Sequence, residues 1–266
     1  MDILETKTDI GLIRETNEDK AIALMHPKNK NIKLLAVADG MGGKEDGELA
    51  SNYIVNSLEK WFKNKSIKTL NNTVELEKLV KSYVKRLNTA LVRKYGDNHL
   101  GSTLTLAIIN KNHTLFINCG DSRGYIYKKN ELFQVTSDDS DVWYYYKYGE
   151  VEKDDLRYFV NNNLINSCLG ISRDFCRVSS EIIENDYQIL LLVSDGVTDM
   201  ITDKKIKELI KKSKSEELLS NIINEAVNVD QNLSVPKKLE KKALSMYIVP
   251  FKGRDNATGA IYIKDE

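Results

Sequence analysis

Leu34-Leu35-Ala36-Val37-Ala38-Asp39-Gly40-Met41-Gly42-Gly43 sets an unbroken apolar run directly against an aspartate and a glycine-rich turn. A short apolar run that ends in turn residues reads as a strand buried inside a sheet. Such a strand delivers the carboxylate at its end to the edge of the sheet, and the following glycine lets a backbone oxygen approach a ligand closely. The pattern returns where the apolar residues 190–193 run into Ser194-Asp195-Gly196, and again near the C-terminus at Gly253-Arg254-Asp255-Asn256. One Asp-Gly is a common turn dipeptide. Acidic residues that repeatedly close apolar strands beside glycine point instead to a carboxylate cage around a hard cation.

Further β-type runs occupy residues 3–10, 103–109, 114–118, 124–127 and 132–135, and the last four, separated by tight polar turns, read as an antiparallel meander. Residues 178–183 and 188–193 flank Glu184-Asn185-Asp186 and read as another hairpin, with a final strand at 260–263. Helical periodicity runs over 49–62 through Leu49, Tyr53, Leu58, Trp61 and Phe62, and over 74–95 through Leu76, Leu79, Tyr83, Leu87 and Leu91. A second helical pair is expected at 203–212, capped by Thr202 or Asp203, and at 216–227. Runs of strands followed by runs of helices imply an α+β fold with segregated layers rather than an alternating parallel sheet.

The 266-residue chain has no internal repeat and no Gly/Ser linker, so one domain over 1–266 is expected. Residues 137–163 and 228–253 carry no clear period and read as surface excursions. Lys+Arg and Asp+Glu number 39 each, leaving no global positive field to gather nucleic acid or an anionic membrane. The lysine clusters at 204–214 and 237–242 suit solvated helix faces. Cys119, Cys168 and Cys176 form no Cys-x-x-Cys pair, which fits a reducing cytoplasm and argues against both a disulfide scaffold and a cysteine zinc site. No stretch is long and apolar enough to span a bilayer, and the N-terminus lacks the pattern of a secretory signal.

Carboxylates and a backbone carbonyl select Mg²⁺ or Mn²⁺ over zinc, and His26, His99 and His113 have no ligand spacing.

The motifs Gly11-Leu12-Ile13-Arg14 with Asn17-Glu18-Asp19, Ala38-Asp39-Gly40-Met41-Gly42-Gly43, Gly101-Ser102-Thr103, Asn118-Cys119-Gly120-Asp121-Ser122-Arg123, Ser194-Asp195-Gly196 and Asp255-Asn256-Ala257-Thr258 resemble, in order, those of the PPM (type 2C) metal-dependent serine/threonine protein phosphatases of bacterial type. The resemblance spans nearly the whole chain. It implies a central sandwich of two antiparallel β-sheets flanked by pairs of α-helices. It also implies hydrolysis of phosphoserine and phosphothreonine in proteins phosphorylated by a serine/threonine kinase, without a phosphoenzyme. Asp39 would bridge two Mn²⁺ or Mg²⁺ ions, with the Gly40 carbonyl on one and Asp195 and Asp255 on the other. Glu18 and Asp19 would act through metal-bound waters. Asp121, Asp195 and Asp199 would form a weaker third site, and Arg14 would clamp phosphate.

Other readings stand beside these. Arg14 suits an ion pair with Glu18, and Asp121 suits a turn that closes a hairpin. Arg123 reads as a structural partner of a nearby carboxylate, and Ser102 and Thr103 as strand residues. Met41 stands where some family members carry histidine, so solvent or metal-bound water would supply the leaving-group proton. Asp139 in Thr136-Ser137-Asp138-Asp139-Ser140 also replaces a usual histidine. The flap would span about 137–170, its Trp143-Tyr144-Tyr145-Tyr146 cluster packing against the domain, and about 228–253 reads as an insertion. The alternative of another class is a catalytically silent domain of the same fold that binds a phosphoprotein or regulatory partner.

Overall fold

The computed structural model describes residues 1–42, 46–97, 99–229, 237–240 and 254–265. Its strands are β1 (Ile3–Asp9), β2 (Asp19–His26), β3 (Asn29–Gly42), β4 (Leu100–Ser102), β5 (Leu104–Ile109), β6 (His113–Cys119), β7 (Arg123–Lys128), β8 (Glu131–Gln134), β9 (Ser179–Glu184), β10 (Ile189–Val193) and β11 (Ala257–Ile263). They form two antiparallel sheets, one ordered β1-β11-β10-β7-β8 and the other β2-β3-β5-β6-β9 with β4 paired to β3. The helices are α1 (Asp46–Lys63), α2 (Ile67–Asn71), α3 (Thr73–Tyr95), α4 (Asp141–Lys147), α5 (Asp195–Thr198), α6 (Asp203–Lys212), α7 (Leu218–Asn228) and α8 (Lys237–Glu240).

Alternation of side chains along a strand explains why the central strands are apolar throughout rather than at every second position. In β3, Leu35 and Val37 face the other sheet, where they meet Leu190, Leu192 and Ala260 alongside Phe116 of their own sheet. Leu34, Ala36 and Ala38 point the other way, into a cluster with Ile54, Leu58, Leu76 and Leu87 of α1 and α3. In β10 the division repeats, with Leu191 and Val193 packed on Ile206, Leu219 and Ile223 of α6 and α7. Both faces of each sheet are covered, giving α-β-β-α layers.

Two pairings differ from the sequence reading. The meander is broken, because β5 pairs with β6 in one sheet while β7 pairs with β8 in the other. The chain changes sheet at Gly120, whose φ of +112° favours glycine and where a Cβ would lie 2.7 Å from the Thr103 side chain. Nor do β9 and β10 form a hairpin: β9 pairs with β6, and β10 with β7 and β11. Turn residues encode a local reversal, whereas the sheet joined by the next strand depends on burial. β10 is buried at every position and β9 is a half-exposed edge. Strand β2 was not expected from its mixed sequence Asp19-Lys20-Ala21-Ile22-Ala23-Leu24-Met25-His26, yet it supplies Ala21 and Ala23 to the layer between the sheets.

Helix α6 matches its expected bounds, with the Thr202 side chain accepting from the Lys205 amide. On α1 the stripe is rotated from the expected one: Ala50, Ile54 and Leu58 are buried, while Leu49 is 45% exposed. Residues 141–159 make a small core of their own, in which Val142, Trp143, Leu156 and Phe159 pack with Leu239 and Tyr145 stacks on Phe159. Trp143 and Tyr145 pack into this small core rather than against the main layers, whereas Tyr144 and Tyr146 are exposed. Most of the expected insertion at 228–253 lies outside the described residues.

Candidate active site

The ends of strands from both sheets meet at one rim of the sandwich. β3 brings Asp39, paired in register with Asp19 of β2, and β10 runs into α5, which begins at Asp195. Asp255 immediately precedes β11, and Asp121 sits in the corner between β6 and β7. A cavity of about 220 Å³ opens here, lined by Arg14, Glu18, Asp39, Gly40, Asp121, Asp195 and Asp255, with Met41, Asn163 and Ile165 among its other walls.

Two glycines make this convergence sterically feasible. A Cβ on Gly40 would fall 2.1 Å from the Gly47 carbonyl oxygen and 2.6 Å from that of Glu18. One on Gly196 would fall 1.9 Å from the Asn256 carbonyl oxygen. These glycines therefore let protein backbone meet protein backbone, which brings Asp39 beside Glu18 and Asp195 beside Asp255.

Each carboxylate is held from behind. The Thr103 hydroxyl accepts from the Asp39 amide at 3.1 Å, and the Thr103 amide donates to the Asp39 carbonyl at 2.8 Å. Asp19, 1% exposed, lies beneath the cavity and accepts from the Ser194 hydroxyl at 2.7 Å. Asn256 accepts from the Glu18 amide at 2.9 Å and donates to the carbonyls of Ile10 and Thr16 at 3.0 and 3.1 Å, which fastens the loop that carries Arg14. Asp139 accepts from the Gly120 amide at 3.1 Å and so braces the corner next to Asp121.

Arg14 pairs with Asp255 at 2.7 Å rather than with Glu18, and this bond raises its pKa further. Asp195 and Asp199 share the α5 turn, the Asp199 amide donating to the Asp195 carbonyl at 2.8 Å. The Asp199 carboxylate faces away from the main cavity toward Asn162 and Arg254. Arg123 is the expected structural partner: buried, it grips both oxygens of Asp138 and lies 5.5 Å from the Trp143 ring centre.

So many carboxylates cannot ionise together in a dry pocket. Burial, and then the neighbouring Asp19 and Asp195, push Asp39 well above the usual carboxylate range. Burial and Asp195 do the same to Asp121. Asp19 and Asp199 are pushed up to about 7, chiefly by burial, and Asp195 is also raised. Asp195 Oδ1 is buried without a hydrogen-bond partner. Among the described residues no three acidic, histidine or cysteine side chains are grouped tightly enough to hold an ion. An all-oxygen donor set, one orphaned carboxylate oxygen and strongly raised proton affinities fit hard divalent cations, which would replace the protons.

Among the site residues the sequence reading did not single out are Asn256, Ser194 and Thr258, which hold the others in place. They lay inside the quoted motifs, but their role depends on contacts with residues some 60 to 250 positions away. Arg254 and Asn162, which meet at Asp199, gave no local signal.

The family model described as protein phosphatase 2C matches residues 14–240. A serine/threonine phosphatase, stp, of Listeria welshimeri is 32% identical over 219 residues, 79% of this chain and 84% of the relative. The crystal structure of the serine/threonine phosphatase Stp1 from Staphylococcus aureus superposes with a TM-score of 0.81 at 25% identity, covering 100% of this chain and 96% of that one. The catalytic domain of the serine/threonine protein phosphatase PstP, solved in complex with two manganese ions, superposes with a TM-score of 0.74 at 25% identity over 98% of this chain and 97% of that one. With its ordered motifs, its layered sandwich and these matches along most of its length, the chain belongs to the protein phosphatase 2C family of serine/threonine phosphatases.

Proposed function

We propose that this chain hydrolyses phosphoserine and phosphothreonine in proteins, with Asp39, the Gly40 carbonyl, Asp195 and Asp255 holding two Mn²⁺ or Mg²⁺ ions. The observation that carries this reading is the convergence of those carboxylates from separate strand ends on one cavity that also receives a guanidinium. The manganese pair in the structurally similar PstP domain supports it. When bound, the cations neutralise the carboxylates, attract phosphate and supply activated water.

The chain's own residues do the rest. Thr103 fixes the backbone of Asp39 on both sides, so its carboxylate direction is set before substrate arrives. Glu18 at the cavity wall and Asp19 one layer behind it would act through metal-bound waters. Arg14, half-exposed at the mouth, exchanges its bond to Asp255 for the oxygens of an incoming phosphate. Of the third-site candidates, Asp121 lines the cavity, whereas the Asp199 carboxylate is turned from it toward Asn162 and Arg254. With Met41 at the rim, the leaving-group proton comes from solvent. The substrates are products of a serine/threonine kinase, the compartment is the cytoplasm, and neither nucleic acid nor a membrane is a partner. No helix among the described residues is long and apolar enough to cross a membrane.

The test is turnover of p-nitrophenyl phosphate and of a phosphothreonine peptide with Mn²⁺, Mg²⁺ or EDTA, with Asp195→Ala as control. Turnover that needs metal and collapses in the variant is expected. A folded, metal-loaded wild type that turns over neither substrate would overturn the reading in favour of a silent phosphoprotein-binding domain.

A further inference from the structure

Asp199 ends the α5 turn that Asp195 begins, and its environment differs from that of the other cavity carboxylates. The Asn162 side-chain amide donates to Asp199 Oδ2 at 2.5 Å, and a guanidinium nitrogen of Arg254 reaches the same oxygen at 3.2 Å. Asn162 is itself buried, and its Oδ1 has no partner, so the bond to Asp199 is what orients its amide. Arg254 precedes Asp255 in the chain, which puts a fixed positive charge between the proposed two-ion cage and Asp199.

We propose that Arg254 is a built-in cation that closes Asp199 to a third metal ion, with Asn162 completing the closure from the flap. The proposal rests on the two-ion reading above. Two N–H donors engage Asp199 Oδ2 and hold the carboxylate turned from the main cavity, so an ion that draws Asp199 into the cavity breaks those bonds. A dication entering among Asp121, Asp195 and Asp199 also meets the like charge of the guanidinium. The chain then works with two ions, and a third enters only by displacing Arg254. Turning the Asp199 carboxylate breaks its bond to Asn162 as well, so third-ion binding and release of the flap end next to Asn163, a wall of the cavity, are one event.

The experiment is a calorimetric titration of Mn²⁺ into the metal-stripped full-length chain, comparing wild type with Arg254→Gln, Arg254→Lys and the double variant Arg254→Gln/Asp199→Asn. Thermal melts show that each is folded. Wild type is expected to take two ions tightly. Arg254→Gln gains a third site at least about tenfold tighter than in wild type, the change expected for one charge-assisted bond. The double variant loses that gain, and Arg254→Lys, which keeps the charge, stays within about threefold of wild type. Two tight ions in every protein, with third-ion affinity unchanged in Arg254→Gln, would overturn this inference alone. Failure of wild type to bind any Mn²⁺ would overturn it together with the reading on which it rests.

Discussion

Replacing Asn256 with alanine removes the clamp between the last motif and the first. Asn256 is 4% exposed and makes side-chain hydrogen bonds to the Glu18 amide and to the Ile10 and Thr16 carbonyls. At about 1 kcal/mol net for each bond, the loss comes to about 3 kcal/mol. For a chain of this size each kcal/mol lowers Tm by about 2–4 °C, so a drop of about 6–12 °C is expected by calorimetry. The bonds span the loop that carries Arg14, so the surviving enzyme should show a KM for phosphothreonine peptide raised more than its kcat is lowered. Glu15→Ala, an exposed change on the same loop, should leave both Tm and KM nearly unchanged. A Tm within about 2 °C of wild type together with an unchanged KM would refute the clamp.

Other consequences are as direct. Gly196→Ala places a Cβ 1.9 Å from the Asn256 carbonyl oxygen, so the variant should be strongly destabilised and bind Mn²⁺ poorly, as a melt with and without metal would show. Arg14→Ala should raise KM for the phosphopeptide by roughly tenfold to a hundredfold, the range of a charge-assisted contact, with a smaller change in kcat. Asp19 and Asp199 bind protons up to about pH 7 when folded but only to about 4 when unfolded, so in EDTA their contribution to stability should fall as pH rises from about 4 to about 7. Mn²⁺ replaces those protons, so its stabilising effect should grow over the same range; a metal-induced rise in Tm equal at pH 5 and pH 8 would contradict this.

What was legible in the sequence followed physical range. Strands buried on both faces, such as β3 and β10, announce themselves by unbroken apolar runs, and the Asp-Gly pairs mark where they end. Strand β2 did not, because its charged and small residues form a strand only through pairing with β3. The partition of strands between sheets escaped for a similar reason: Gly120-Asp121-Ser122 and Glu184-Asn185-Asp186 read locally as hairpin turns, but the chain crosses between layers at both. The site residues Asp39, Asp195, Asp255 and Arg14 were found by motif, and they do share one cavity. The partner of Arg14, however, is 241 positions away rather than four, a contact that no periodicity encodes.

The measurement that bears most directly on the central claim is an anomalous difference map from crystals soaked in Mn²⁺. The account predicts two strong peaks in the cavity, shared by Asp39 and within ligating distance of Asp195, Asp255 and the Gly40 carbonyl. Peaks elsewhere, or none in that cavity at saturating Mn²⁺, would contradict it.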